Sequence, residues 1–467
     1  MPAGDKEYNE PWTNEDGYII LTLNGPGRVS AGPLSKKIAG GIMDRNEQLF
    51  TFIEESPTPY HVVRTISRTL LEEGFQELKE QESWQLEAGG SYYVSRNGSS
   101  LIAFRIPETE AGGFRIVAGH SDSPCFKLKE HPEIGVEGQY VKLNVERYGG
   151  MIDSSWLDRP LSVAGRVVVS DKGSLKTLLV DLKRDVCLIP SLAVHMSRDG
   201  ENSQKTKIQK EMLPLYAGKT AAGSLLKEIA DCAGVRPEDI LGNDLFLYNR
   251  MKGRVWGASG EYISSGRLDD LQCVFAGFQA FLAAEADDQI PVLCVYDNEE
   301  VGSTTRQGAA STLLLDTLLR INEALGRTPG QYRQAVAGSF MLSADNAHGV
   351  HPNYPEKACP TNRPYLNGGV VLKFSANQKY TTDAVSAALV RELCHKAGVP
   401  CQTYVNHSDV PGGSTLGNIS ANQVAVRTAD VGLAQLAMHS SYETAGSEDT
   451  AYMIRMMKEF FQCRTDG

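Results

Sequence analysis

Val295 to Ser303, VYDNEEVGS, places Asp297, Glu299 and Glu300 within four residues at the end of the continuous apolar run IPVLCVY. Such a run reads as a buried strand, and neighbouring carboxylates at its exit raise each other's pKa. A solvated acidic loop is the commoner reason for such a stretch. The chemical reason is a division of labour, with one glutamate binding a cation and the other handling a proton. Four more segments carry matching residue types. VAGHSDSP supplies His120 and Asp122, SSGRLDDLQ supplies Asp269 and Asp270, MLSADNAHGVHPN supplies Asp345, His348 and His351, and LAMHSSYE supplies His439. Singly, each has an ordinary explanation. An aspartate at a helix start is usually a cap or a partner of the helix dipole, and a lone histidine is usually a hydrogen-bonded structural residue. Together they form the kit that a pair of divalent cations about 3.5–4 Å apart requires, with one carboxylate able to bridge both. Oxygen-rich ligation with few nitrogens and no thiolate suits zinc, manganese or cobalt.

These residues sit at the ends of predicted elements. GFRIVAGH, IPVLCVY, AGSFMLSAD and GGVVLKFS read as strands. LDDLQCVFAGFQAFLAAEA, STLLLDTLLRINEALG, DAVSAALVRELCHKAG and DTAYMIRMMKEFFQ read as helices. Strands alternating with such helices predict an α/β sandwich with a largely parallel sheet, whose ligands gather outside the carboxyl ends of the strands. Residues 132–255 differ in texture, with short strand patterns such as AGRVVVS and SLKTLLVDL. They read as an inserted β-rich unit that divides the catalytic region into 43–131 and 256–467. NGPGRVSAGPLSKKIAGG reads as a linker, so residues 1–42 form a separate N-terminal extension, and Met43 offers an alternative start. The glycine-rich turn DVPGGSTLGN lacks the G-K-[ST] ending of a phosphate loop and reads as a wall of the site.

At 467 residues the chain exceeds one ordinary core. Its 41% apolar and 22% charged residues are those of a globular protein. A net charge of −11 argues against a general nucleic-acid or anionic-membrane binder. No apolar run approaches the roughly 18 residues of a membrane span, and the acidic N-terminus lacks a signal-peptide pattern. Nine cysteines, none in a C-x-x-C pair, fit free thiols in a reducing cytoplasm.

The segments GHSDSP, RLDDL, YDNEEVGS, SADNAHGVHPNYPEK and LAMHSSYE, together with SPTPYHVV at 56–63, resemble the M18 family of metallo-aminopeptidases, the aspartyl aminopeptidases. The likeness runs from about Met43 to the C-terminus. It implies a three-layer fold of the zinc-peptidase/phosphorylase kind, with the insert serving as a dimerisation domain. It also implies two divalent ions per subunit, zinc above manganese or cobalt. One ion would be held by His120, Asp269 and Asp345 and the other by Asp269, Glu300 and His439, with Asp269 bridging. Asp122 would accept the second N–H of His120 and strengthen it as a ligand, and a cis peptide is implied at Asp269–Asp270. In that scheme Glu299 takes a proton from the activated water that attacks the scissile carbonyl, then returns it to the leaving amine. Asp270 departs from the family pattern, standing where relatives often carry asparagine.

The implied substrate is a peptide with an N-terminal Asp or Glu, whose side chain needs a cation or strong donors in a partly desolvated pocket. Lys373, His348 and Tyr380 are the candidates. His195, in IPSLAVHMSR of the insert, matches a histidine that in M18 relatives reaches the neighbouring subunit's active site and stabilises the oxyanion. Those relatives assemble as dimer-based dodecamers, so a homo-oligomer is expected. Two other readings stay open on sequence alone. One is a same-fold aminopeptidase with broad or neutral preference; the other is a non-catalytic assembly or cargo protein that retains the fold.

Overall fold

The computed structural model describes residues 42–463 apart from 172, 197–205, 286 and 411. The expected N-terminal extension therefore lies outside the described residues up to position 41. The chain divides into two compact units. The smaller comprises Phe126–Arg147 and Leu157–Arg250, and the larger comprises the described residues of Pro33–Cys125, Tyr148–Trp156 and Met251–Gly467. Against the expected 132–255, the smaller unit begins within strand Cys125–Val136, which runs on past position 132 without a turn, ends at Arg250, and leaves Tyr148–Trp156 to the larger unit. The smaller unit is built on a six-stranded sheet. There Leu161–Asp171 pairs antiparallel with both Ile240–Asn249 and Ser174–Asp181.

In the larger unit the described strands form one 13-stranded mixed sheet. Its centre is parallel, with Ile290–Tyr296, Phe114–His120, Phe340–Ala344 and Arg427–Leu436 side by side in that order. Strands covered on both faces read as unbroken apolar runs, which is why IPVLCVY shows no alternation. Successive side chains still point to opposite faces. Val117, Leu293 and Val295 pack with the helices Leu268–Ala283, Ala384–Ala397 and Asp449–Gln462. Ile116, Val292 and Cys294 pack with the helix Leu313–Ala324 on the other face. The result is the α/β arrangement with a largely parallel sheet that the sequence pattern predicts, in the three layers that the resemblance implies. No helix of the described residues is long and apolar enough to cross a membrane.

Parallel neighbours end on the same side, so the loops after His120, Tyr296, Ala344 and Leu436 all leave by one edge. Gly432 marks how closely they approach. A Cβ there would collide with the Asp345 carbonyl oxygen. Gly432→Ala is expected to displace the Asp345 backbone and lower the free energy of unfolding by about 1–3 kcal/mol, measured by urea denaturation. Gly330→Ala, on a helix with room for a methyl group, is the control and should be neutral or stabilising.

Candidate active site

The loops at that edge line one pocket, which contains His120, Asp269, Glu299, Glu300, Asp345 and His439. His120 ends its strand fully buried, and its backbone N–H donates to Asp270 Oδ2 at 3.1 Å. Its Nδ1 lies 3.0 Å from the carbonyl oxygen of Asp122. A carbonyl only accepts, so Nδ1 donates there, and Nε2 is the ring nitrogen turned to Asp269 and open to a cation. The Asp122 carboxylate, expected as the imidazole's partner, lies further off, with Oδ1 3.4 Å from Nδ1. It also holds the opening of the Glu299–Val301 turn. Oδ1 accepts the N–H of Glu299 and Oδ2 that of Glu300, each at 3.1 Å. The Tyr148 hydroxyl donates to the same Oδ2 at 2.7 Å and itself receives an N–H of Asn298 at 2.8 Å. Asp122 thus connects the histidine loop to the glutamate loop.

Asp269 lies two residues after Arg267, which is left-handed at φ +59°, and the Asp269–Asp270 peptide is cis, as the resemblance implies. Its Oδ1 lies 3.5 Å from His120 Nε2 and its Oδ2 3.5 Å from His439 Nε2. Glu300 Oε1 lies 3.4 Å from His439 Nε2. Ligand atoms of His120, Asp269, Asp270 and Asp345 converge, as do those of His120, Glu299 and Glu300 and those of Asp269, Glu300 and His439. Two atoms about 2.0–2.1 Å from one tetrahedral zinc lie about 3.4 Å apart, which matches these nitrogen–oxygen spacings. Among the described residues, Asp269 Oδ1, Asp270 Oδ1 and Glu300 Oε1 are buried without a hydrogen-bond partner, a costly state for a charged oxygen. Burial, then repulsion from neighbouring carboxylates, pushes the Glu300 carboxyl well up and that of Glu299 up to about 7. Asp269 departs from this. Burial works to raise it, but His120 and His439 hold it below the usual carboxylate range. The donor set fits divalent cations on both counts.

Residues 52–461 match the family model described as aminopeptidase I zinc metalloprotease (M18). The chain belongs to the M18 family. It is similar to the probable M18 family aminopeptidase 2 of Clostridium acetobutylicum, 45% identical over 423 residues that cover 89% of this chain and 98% of that protein. The protein of the same description from Pseudomonas aeruginosa is 40% identical over 427 residues, covering 89% and 97%. Among solved structures, a chain from the complex of Ape4 and Nbr1 superposes with a TM-score of 0.87 at 35% identity, covering 90% of this chain and 86% of that one. The mApe1 dodecamer of S. cerevisiae gives 0.80 at 31% identity, covering 90% and 96%. This M18 chain is therefore a metal-dependent aminopeptidase, which removes the reading as a non-catalytic assembly protein.

The other side chains of the M18 pocket include Lys373, His348 and Tyr380, together with Asn346, Tyr404 and Thr415. Lys373 is buried, and its Nζ donates to the carbonyls of Asp345 at 2.7 Å and Asn346 at 3.2 Å. It also lies 3.4 Å from Asp345 Oδ2 and 5.2 Å from the Tyr380 ring centroid. Tyr404 meets both His348 and Tyr380 edge to face. Gly413, Ser414 and Thr415 of DVPGGSTLGN line the pocket, as a wall segment should. His195 belongs to the smaller unit, on the turn Val194–Met196, and is not among the lining residues.

Asp430 went unremarked in the sequence, although a charge inside the apolar strand RTADVGLAQL signals a buried, partnered group. Its Oδ2 accepts both the N–H and the hydroxyl of Thr381, at 2.5 and 2.7 Å, and its Oδ1 accepts the Thr415 hydroxyl at 2.5 Å. It ties the residue after Tyr380 to the pocket wall. Asp430→Asn replaces one acceptor with a donor. It should lower stability by about 1–3 kcal/mol and raise KM for peptides, read from urea melts and steady-state kinetics.

Proposed function

We propose that this aminopeptidase carries a dinuclear centre, zinc by preference with manganese or cobalt as alternatives. His120, Asp269 and Asp345 would hold one ion, and Asp269, Glu300 and His439 the other. The observation that carries this is the Asp269 carboxylate, which turns one oxygen to each imidazole at 3.5 Å. Bound there, the cations would supply Lewis acidity towards water and the scissile carbonyl. Glu299 lies in the same pocket, and Asp122 anchors its backbone at 3.1 Å. In this reading it takes a proton from the attacking water and delivers it to the leaving amine of the peptide. In this reading Glu300 is a ligand while Glu299 keeps its carboxylate for the proton.

The proposed substrate is a peptide with an N-terminal Asp or Glu. Lys373 supports this, since it is the one lysine or arginine among the lining residues and has His348 and Tyr380 beside it. The engagement of its Nζ by Asp345 and Asn346 favours a second reading, a broad or neutral preference with Lys373 serving to hold Asp345. Nine free thiols support a cytoplasmic setting. A homo-oligomer, with His195 offered to a neighbouring subunit, is supported by Leu192, Val194 and Met196 around it, which are 63%, 75% and 72% exposed. Clustered exposed apolar side chains mark surfaces that a partner covers.

The test is release of the first residue from matched peptides beginning with Asp, Glu, Leu, Ala or Lys, using metal-stripped protein reloaded with zinc, manganese or cobalt. Activity should vanish on stripping, and Glu299→Gln should lose about 10²–10⁴-fold in kcat. Activity retained in Glu299→Gln would remove that residue from proton transfer. Lys373→Met separates the two specificities: a loss confined to Asp and Glu peptides supports the acidic pocket, and an equal loss on all peptides supports the broad reading.

A further inference from the structure

Glu443 closes the segment LAMHSSYE four residues after His439. It is 2% exposed and opens strand Glu443–Gly446, where it pairs with Ser265 of strand Tyr262–Ser265. Two loops meet at this strand pair. From Ser265 the chain runs through left-handed Arg267 to Asp269, and from Leu436 it runs through left-handed Ala437 and His439 back to Glu443. The Glu443 carboxylate is bound to both loops. Its Oε2 accepts the backbone N–H of Asp269 at 3.0 Å, and its Oε1 accepts that of His439 at 2.7 Å. His439 has φ +66°, a conformation disfavoured for any residue with a Cβ, and its N–H is the group that Glu443 holds.

We propose that Glu443 is a positioning residue for the metal centre. By gripping the peptide N–H groups of Asp269 and His439 with one carboxylate, it presets the distance between two ligands 170 positions apart in the sequence. The cation shared by Asp269, Glu300 and His439 then meets an arranged site. This rests on the dinuclear reading above. The competing account is purely structural, and Asp449 shows what that looks like. Asp449 is buried and accepts the N–H groups of Asn367 and Gly369 at 2.7 and 2.9 Å, but neither it nor those partners line the pocket.

Zinc titration into the metal-free full-length protein by calorimetry separates the two accounts. Glu443→Gln keeps the volume but turns one acceptor into a donor against a backbone N–H. The wild type should bind two ions. In Glu443→Gln the ion whose binding is abolished by His439→Ala should weaken about 10–100-fold, with a smaller shift for the other. Asp449→Asn should lower the melting temperature and leave both affinities in place. Unchanged zinc affinities in Glu443→Gln, with only its melting temperature reduced, would overturn the proposal. Should that variant not fold, Glu443→Asp decides, since it keeps both acceptors but draws them back by one methylene. It should weaken the same ion by a smaller factor, and unchanged affinity would again overturn the proposal. Wild-type protein that takes up no zinc would overturn the dinuclear reading and this inference with it.

Discussion

Carboxylates gathered in a buried space repel one another, and the larger unit is arranged around that repulsion. Asp270, Glu299, Glu300 and Asp345 are all pushed upward by burial, with neighbouring carboxylates adding to it and His120 or Lys373 working against it. Removing such charges from water costs several kcal/mol each unless opposite charge or donors meet them. Three kinds of group do so here. Backbone N–H groups of Glu299, Glu300 and His120 go to Asp122 and Asp270, the Lys373 ammonium faces Asp345, and the imidazoles of His120 and His439 flank Asp269. Oxygens still lacking a partner, on Asp269, Asp270 and Glu300, are where cations fit.

The sheet makes this arrangement possible because its central strands are parallel and buried on both faces. Their ends cannot shift independently, since each strand is locked by neighbours on either side and by helices above and below. Residues far apart in the chain are therefore delivered to one edge with little freedom left to lose. Asp122 shows the benefit. Its carboxylate bonds two successive peptide groups of the glutamate turn 177 and 178 residues away, which holds the backbone of Glu299 and Glu300 in place. A surface loop could bring such residues together only transiently, with the entropy of ordering charged to every encounter.

Much of the site was legible in the order of short motifs. GHSDSP, RLDDL, YDNEEVGS, SADNAHGVHP and LAMHSSYE each place a metal-type ligand at the end of an element, and the structure brings His120, Asp269, Glu299, Glu300, Asp345 and His439 into one pocket. Element type was legible for a related reason. Apolar runs of strand length and helical periodicity are local signals, carried by consecutive residues. The hydrogen bonds of Asp122, Lys373 and Asp430 had no such signal, because their partners are main-chain groups or hydroxyls that no residue type announces.

Sequence alone determined the α/β class, the order of elements and the residues whose chemistry suits a metallo-aminopeptidase, since these depend on residue type and near-neighbour spacing. Tertiary structure decided which atoms those residues use. It set the His120 Nδ1 3.0 Å from the main-chain carbonyl of Asp122 and 3.4 Å from that residue's carboxylate. It committed the Lys373 donors to the backbone beside Asp345, and it set both Asp269 and His439 on Glu443. Such choices turn on differences of a few tenths of an ångström between competing partners, and only the packed sheet and its loops fix distances that finely.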